Sequence, residues 1–167
     1  MSRDGMKSGT ILCLALFVFA MFFIAPPSLS AKNGKIIEGN CENGAGTFEY
    51  SSGALYVGEW LDGKEHGRGR MTLPDGSSYE GEYKNGRPHG YGVFQLRDGR
   101  EYNGEWKYGV AEGQGLEVNP DGSSYEGHWH NGLPSGYGVS TVGGREEKQG
   151  YWVDGEYVGK DKFWNVR

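Results

Sequence analysis

The chain has 167 residues, of which 31 are glycine and only 6 are proline, and 14% are aromatic. The glycines follow no three-residue period, which excludes collagen, and the many Tyr and Trp residues exclude a disordered chain of low hydrophobicity. The formal net charge of −5 argues against a basic nucleic-acid-binding protein. Two cysteines, Cys13 and Cys41, are too few for a disulfide framework.

Residues 1–31 differ in composition from the rest of the chain. Arg3 and Lys7 precede an uncharged apolar run over residues 11–25, which two prolines and a Ser-Leu-Ser-Ala segment follow. This order is typical of a secretory signal peptide that is cleaved after Ser30. An uncleaved membrane anchor is the alternative, although the run is shorter than the about 20 residues that a spanning helix needs. We therefore expect a periplasmic or extracellular protein of the secretory pathway if the signal is cleaved, and a single-pass membrane-anchored protein otherwise.

The rest of the chain is built from a repeated unit of 23 residues. Full copies begin at residues 56, 79, 102 and 125, without insertions, and degenerate copies begin at residues 33 and 148. Internal repetition at a fixed period is the signature of a repeat architecture. Residues 32–167 are therefore expected to form one repeat domain.

Each unit predicts two β-strands and two tight turns. The segment Tyr79–Tyr83 reads YEGEY, and this alternation with a period of two is typical of a strand. Asn85-Gly86 follows as a hairpin turn, a second strand begins at Gly90, and Asp98-Gly99 turns the chain into the next unit. Because tight turns join all strands, we predict an all-β fold, an elongated antiparallel meander of about ten strands. Residues 157–167 are expected to form a short C-terminal cap, with a docking segment as the alternative.

The unit resembles the MORN repeat, named for membrane occupation and recognition nexus. The motif Tyr-x-Gly-x-Trp/Tyr-x-x-Gly-x-x-x-Gly-x-Gly occurs in full at each of the four full copies, and the resemblance extends over residues 33–160. It implies an elongated, twisted antiparallel sheet with a groove and a role in protein–protein interaction, with self-association as a common mode. It also suggests phospholipid binding as an alternative. The third copy departs from the pattern, since its apolar residues shift to Leu116 and Val118, which leaves its register open.

The aromatic residues at the first and fifth positions of the units are the candidate site. They are predicted to share one face, as the core of a single-layer sheet, as a groove for a helix or an extended segment of a partner protein, or as both at once. The eight candidates are Tyr56, Trp60, Tyr79, Tyr83, Tyr102, Trp106, Tyr125 and Trp129. In the groove interpretation, the exposed apolar anchors are Trp60, Tyr83, Trp106 and Trp129. The other face carries Glu59, Glu82 and Glu105, which fit a solvated face or a basic partner.

No motif points to catalysis, a metal or a cofactor. His128 and His130 share one strand face, but a third ligand is missing, so no metal site is predicted. The sequence contains no nucleophile elbow, phosphate-binding loop or paired-cysteine motif. We predict a protein that is not an enzyme, needs no cofactor, and binds neither nucleic acid nor a small-molecule substrate.

The predicted function is a protein-interaction or scaffolding module that is exported or tethered to a membrane. Its expected partner is another protein, and a second copy of the chain is included in that class. Two alternatives stay open at this point. The first is a phospholipid-binding module, which the excess of acidic residues disfavours. The second is a structural spacer in an envelope or surface assembly.

Overall fold

The computed structural model describes residues 33–161, which form one sheet of twelve antiparallel strands. The strands follow one another across the sheet in chain order. They are β1 Gly34–Gly39, β2 Gly44–Tyr50, β3 Leu55–Leu61, β4 Lys64–Thr72, β5 Ser78–Lys84, β6 Arg87–Gln95, β7 Glu101–Lys107, β8 Val110–Val118, β9 Ser124–His130, β10 Leu133–Val142, β11 Arg145–Val153 and β12 Glu156–Gly159. The predicted all-β meander of hairpins is confirmed, with twelve strands where about ten were expected.

The predicted signal or anchor at residues 1–31 lies outside the described residues, as does the end of the predicted cap. In the part of the cap that is described, β12 places the ring of Tyr157 against Trp152, with 5.4 Å between the ring centroids. No helix that could span a bilayer occurs between residues 33 and 161.

The hairpin turns lie where the turn dipeptides predict them. Asn85 and Gly86 both have positive φ, 54° and 81°, as a two-residue type I′ turn requires. The same pair of positive angles recurs at Asp62-Gly63, Tyr108-Gly109, Asn131-Gly132 and Asp154-Gly155. Asn, Asp and Gly tolerate this region better than other residues, so the local sequence determines where four of these five hairpins close, and Tyr108 is the exception.

Ten glycines form a continuous row across the sheet from β2 to β11. Each glycine is directly opposite the next one in the strand pairing, and the row consists of Gly46, Gly58, Gly69, Gly81, Gly92, Gly104, Gly115, Gly127, Gly138 and Gly150. A Cβ atom at Gly92 would lie 2.5 Å from Cζ of Tyr79, and one at Gly115 would lie 2.5 Å from Cζ of Tyr102. The missing side chains therefore make room for tyrosine rings that lie against the backbone.

The aromatic rings form a zigzag ladder on the same face as the glycine row. Tyr79 packs edge-to-face on Tyr83 of its own strand at 5.1 Å and on Trp106 of the next hairpin at 5.2 Å between ring centroids. Such contacts continue without a break from Trp60 to Tyr157. Edge-to-face pairs are a preferred aromatic geometry. This aromatic ladder is the hydrophobic core of the sheet.

Each full repeat contains a β-bulge in its second strand. The pairing of β5 with β6 shifts register next to Glu82, and Gly90 has a φ of 62° there. Oε1 of Glu82 accepts a hydrogen bond from the backbone N–H of Tyr91 at 3.3 Å. The equivalent bond in the neighbouring repeats is 3.0 Å long and joins Glu59 to Arg68 and Glu105 to Gln114. These carboxylates therefore hold the bulge in place, a role that the sequence analysis did not predict.

The third repeat keeps the register of the others. Gly104 is opposite Gly115, as the glycine row requires, and Leu116 and Val118 lie on the face opposite the rings. Glu117 takes the core position instead and is only 8% exposed. Burial raises the pKa of the Glu117 carboxyl. The shifted apolar residues thus place an acid in the core and do not change the strand pairing.

Candidate functional site

The eight aromatic residues that were predicted to line a groove are buried within the sheet. Their exposed fractions run from 0% to 4% for Tyr56, Tyr79, Tyr102, Tyr125, Trp60, Tyr83, Trp106 and Trp129. The expectation that the four residues at the fifth position stand exposed as apolar anchors was therefore wrong. The interpretation of the row as the core of a single-layer sheet matches the packing.

Neighbouring residues of the same sheet cover these rings. Pro88 is directly opposite Tyr83 in the strand pairing, and Ala111 is directly opposite Trp106. Nε1 of Trp106 donates a hydrogen bond to the carbonyl oxygen of Gly92 in the preceding hairpin at 3.1 Å. This bond anchors the ring on the backbone of its neighbour. A sheet without a second layer can therefore close its own aromatic face.

The tyrosine at the first position of each full repeat is held by its hydroxyl group. Oη of Tyr79 donates to the carbonyl oxygen of Glu82 at 3.0 Å, and the equivalent bonds of Tyr56, Tyr102 and Tyr125 are 3.0 to 3.1 Å long. Burial raises the pKa of all four phenols well above the usual value. These hydroxyls stay protonated at neutral pH and serve the fold.

The accessible side chains lie on the opposite face, which we call the open face. Val57, Tyr91 and Tyr137 belong to it and are exposed by 49%, 62% and 43%. A groove of about 830 Å³ crosses β3 to β6 on this face, and its lining includes Val57, Arg68, Arg70, Glu80, Tyr91 and Val93. A second groove of about 610 Å³ crosses β9 to β11, and its lining includes His128, Tyr137 and Tyr151.

One line of directly opposed residues runs along the open face, and we call it the middle row. From β3 to β11 it consists of Val57, Arg70, Glu80, Val93, Asn103, Leu116, Glu126, Val139 and Gln149. Nη1 of Arg70 lies 3.6 Å from Oε2 of Glu80 within this row. From β6 to β11, apolar and polar residues alternate along the middle row. The second strand of each repeat contributes the apolar residue, and the first strand contributes the polar one. In the sequence, these apolar members of the middle row are the residues that directly follow a Gly-x-Gly pair, as Val93 follows Gly92. These residues were not among the predicted site residues.

The two histidines on β9 make separate contacts on the open face. Nδ1 of His128 lies 3.2 Å from the carbonyl oxygen of Tyr137, and Nδ1 of His130 lies 3.1 Å from Oε1 of Glu112. His128 thus replaces the glutamate that contacts the bulge in the other full repeats. Within residues 33–161, no group of three or more His, Cys, Asp or Glu side chains is placed to hold a metal ion.

A comparison with protein families identifies the repeat. The family model described as MORN repeat matches residues 56–78, 79–99, 102–124 and 125–141, which together make up half of the chain. No curated protein matches the chain. MORN repeats are known from membrane-associated modules and interaction modules. The matched segments coincide with the four full copies of the unit, and the chain belongs to the MORN-repeat family.

Proposed function

We propose that this chain is a non-catalytic MORN-repeat module that binds a protein partner through its open face. The observation that carries the proposal is the exposure of Tyr91 and Tyr137 beside the two grooves. Tyrosine is enriched among the residues that dominate the energetics of protein interfaces. The eight rings of the aromatic ladder are buried, so a partner could contact them only if their packing were disrupted. The open face is therefore the better surface for binding a protein.

The hydrogen bonds of the repeat support a role without catalysis. Four tyrosine hydroxyls donate to backbone carbonyls, and Glu59, Glu82 and Glu105 accept backbone N–H groups. These polar groups recur with the repeat and stabilise its turns and bulges. Burial raises the pKa of the four phenols, so they stay protonated at neutral pH and cannot act as general bases there. A scaffold needs only a stable surface, which this arrangement provides.

A photo-activatable phenylalanine analogue that replaces single tyrosines in the full chain tests the proposal. Placed at Tyr91 or Tyr137, it should cross-link one and the same protein in the native source. The matched control is Tyr108, which is 51% exposed but lies in a hairpin turn, away from the grooves. Capture from position 108 at the same yield, or from none of the three positions, contradicts binding through the open face. A chain that captures no protein would fit the structural spacer.

A second candidate function is binding to anionic phospholipid through the ends of the hairpins. Lys64, Lys84, Arg87 and Lys107 occupy the ends of three adjacent hairpins. A lysine or arginine near an anionic membrane contributes about 1 kcal/mol. The acidic residues of the chain oppose this attraction, and the net charge is −5.

Flotation with vesicles separates the two candidates. We expect the chain without residues 1–31 to stay unbound to phosphatidylserine vesicles and to phosphatidylcholine vesicles at physiological salt. Binding that needs phosphatidylserine, and that is lost when the four basic residues are changed to glutamine, would make lipid recognition the primary function.

We also propose that residues 1–31 export the module or tether it to a membrane. The apolar run after Arg3 and Lys7 supports this, since it has the order of a signal peptide. Mass spectrometry of the protein from its native source distinguishes export from a membrane tether. A mature N-terminus at Ala31 indicates export, an intact chain in the membrane fraction indicates a tether, and an intact soluble chain contradicts both.

A further inference from the structure

We propose that the partner segment bound by the open face is an amphipathic α-helix with a heptad repeat, which lies along the middle row and across the strands. This inference rests on the proposed protein-binding function and specifies the kind of partner. It is carried by the spacing and the charge of the residues in the middle row.

Three of the four apolar residues of the middle row, those on the second strands of their repeats, recur at the spacing of a heptad. Val93, Leu116 and Val139 are half-buried and lie on β6, β8 and β10, with Asn103 and Glu126 directly between them in the pairing. Two strand spacings amount to about 9.6 Å. Seven residues of an α-helix rise by about 10.5 Å. The two distances differ by only about 0.9 Å, so a helix that lies along the row brings every seventh residue to within about 2 Å of one of the three apolar side chains.

An extended peptide does not match this spacing. Side chains on the same side of a β-strand are about 6.7 Å or about 13 Å apart, and neither distance fits a period of about 9.6 Å. The backbone N–H and C=O groups within the sheet are also used by neighbouring strands from β2 to β11. A peptide that crosses the strands on the open face can form no ladder with them. A helix satisfies its own backbone groups and needs only side-chain contacts.

The charge of the open face indicates which residues lie on both sides of the apolar stripe of the partner helix. From β7 to β9, the open face carries Glu101, Glu105 and Glu126, and the single basic residue of these three strands is Lys107 at a hairpin end. Acidic residues thus lie on and beside the middle row between its apolar members. We infer that the helix has lysine or arginine residues on both sides of its apolar stripe, since complementary charge guides association and fixes register.

The regular spacing ends at Arg70, which is the equivalent of Val93 in the first full repeat, and Val57 beyond it lies on a first strand. The three apolar positions therefore accommodate a helix of about three heptads, which is about 30 Å long. A short amphipathic helix or one strand of a coiled coil has these dimensions.

A pair of synthetic peptides of about 28 residues tests the inference. The first has leucine at every seventh position, lysine on both sides of the leucine stripe, and alanine and glutamine elsewhere. The second has the same composition but places leucine at every sixth position, which winds the leucines around the helix. Fluorescence anisotropy with the full chain at physiological salt should show that the first peptide binds at least about tenfold more tightly.

A matched pair of variants locates the peptide on the open face. Leu116→Ser should weaken binding of the first peptide about tenfold, because it removes the central apolar contact. Val118→Ser is the control, since Val118 lies on the same face of the same strand but outside the middle row. It should change the affinity less than twofold. Circular dichroism shows whether both variants keep the fold.

Three results overturn the helix inference: equal binding of the two peptides, no binding of either, or equal effects of the two variants. The cross-linking experiment separates this failure from failure of the proposed function. If position 91 captures a protein while the heptad peptide does not bind, the open face binds proteins but not through such a helix. If neither occurs, both proposals are wrong.

Discussion

Tyr83 takes the fifth position of its repeat, where the other three full repeats have tryptophan. Trp60, Trp106 and Trp129 donate through Nε1 to a glycine carbonyl of the preceding hairpin at 3.0 to 3.1 Å. The hydroxyl of Tyr83 is buried and has no hydrogen-bond partner among the described residues. A buried polar group without a partner costs free energy on folding. The hydroxyls of Tyr79 and Tyr83, which are four residues apart, therefore contribute differently to the free energy of unfolding.

Replacement of each tyrosine by phenylalanine should reveal this difference. Tyr79→Phe loses the bond to the carbonyl oxygen of Glu82 and is expected to lower the free energy of unfolding by about 1 kcal/mol. Tyr83→Phe removes a hydroxyl without a partner and should change it by less than about 0.5 kcal/mol, or raise it. Urea denaturation measures both values. Equal losses in the two variants would show that the hydroxyl of Tyr83 is satisfied in solution.

Glu117 takes the core position that Met71 and Phe94 occupy in the preceding repeats. Burial raises the pKa of its carboxyl in the folded state, while the nearby Arg100 acts in the opposite direction. The folded state therefore favours the protonated acid. This contribution to stability is present below the ordinary glutamate pKa of about 4.3 and is lost as the pH rises through the higher pKa of the folded state.

Glu117→Gln should remove this dependence on pH. At pH 7 we expect the free energy of unfolding to increase by up to about 1 kcal/mol, because an ionised carboxylate no longer has to be buried. At pH 4 the variant and the parent should be equally stable. Denaturation curves at the two values of pH give the comparison, and an identical gain at both would mean that ionisation is not the cause.

At the scale of the hairpin, the local sequence predicts turns and faces but not bulges. Asn85-Gly86 and the alternation of YEGEY are signals within a few residues, so the turn and the strand faces could be predicted. The bulge at Gly90 and the bond from the N–H of Tyr91 to Glu82 form only when two strands pair. No short segment encodes them, and the acidic row was accordingly predicted to be a solvated face or a contact for a basic partner.

The burial of the rings could not be predicted from the alternation alone. Tyr79 is covered in part by Trp106, which is 27 positions away in the chain. Alternation shows that two rings share a face, but it does not show how closely rings of adjacent hairpins pack. For the same reason, the middle row became visible only with the pairing of Val93 to Asn103 and of Leu116 to Glu126.

The close contact of glycine and tyrosine is a feature of the hairpin that can be tested directly. Gly92→Ala places a Cβ atom against the ring of Tyr79, which other rings hold in place. We expect a loss of about 2 to 3 kcal/mol in the free energy of unfolding, as is typical of overpacked cores.

Gly122→Ala is the control for this change. No atom beyond Gly122 and its two chain neighbours lies within 4 Å of the position of its Cβ, so the variant has only the backbone cost of its φ of 79°. That cost is about 1 kcal/mol. Thermal and urea denaturation compare the two variants, and a smaller loss for Gly92→Ala would show that the ring can move aside.

At the scale of the whole molecule, each hairpin pairs only with its neighbours in the chain, because strand order equals sequence order. The stability of such an array is approximately a sum over units and the interfaces between them. Deletion of residues 102–124 removes one complete unit and joins Glu101 to Tyr125. Trp129 can then pack on Tyr79 in the place of Trp106.

We expect this shortened chain to fold into the same sheet with ten strands and a lower free energy of unfolding, since two of the twelve strands are removed. Deletion of residues 102–113 is the control, because it removes about half a unit and breaks the alternation of first and second strands. That variant should fail to fold. Circular dichroism and urea denaturation provide the measurement, and an unfolded product of the full-unit deletion would contradict the additive description.

The strand order also determines how the molecule responds to tension. Since β1 and β12 lie at opposite edges of the sheet, a force applied to the two ends of the domain peels strands off one after another. Each unit that detaches has 23 residues and lengthens the chain by about 70 Å, the extended length less the width of two strands. We expect each of the four full units to yield in a step of the same length, opposed by one hairpin, so that the domain lengthens stepwise under tension.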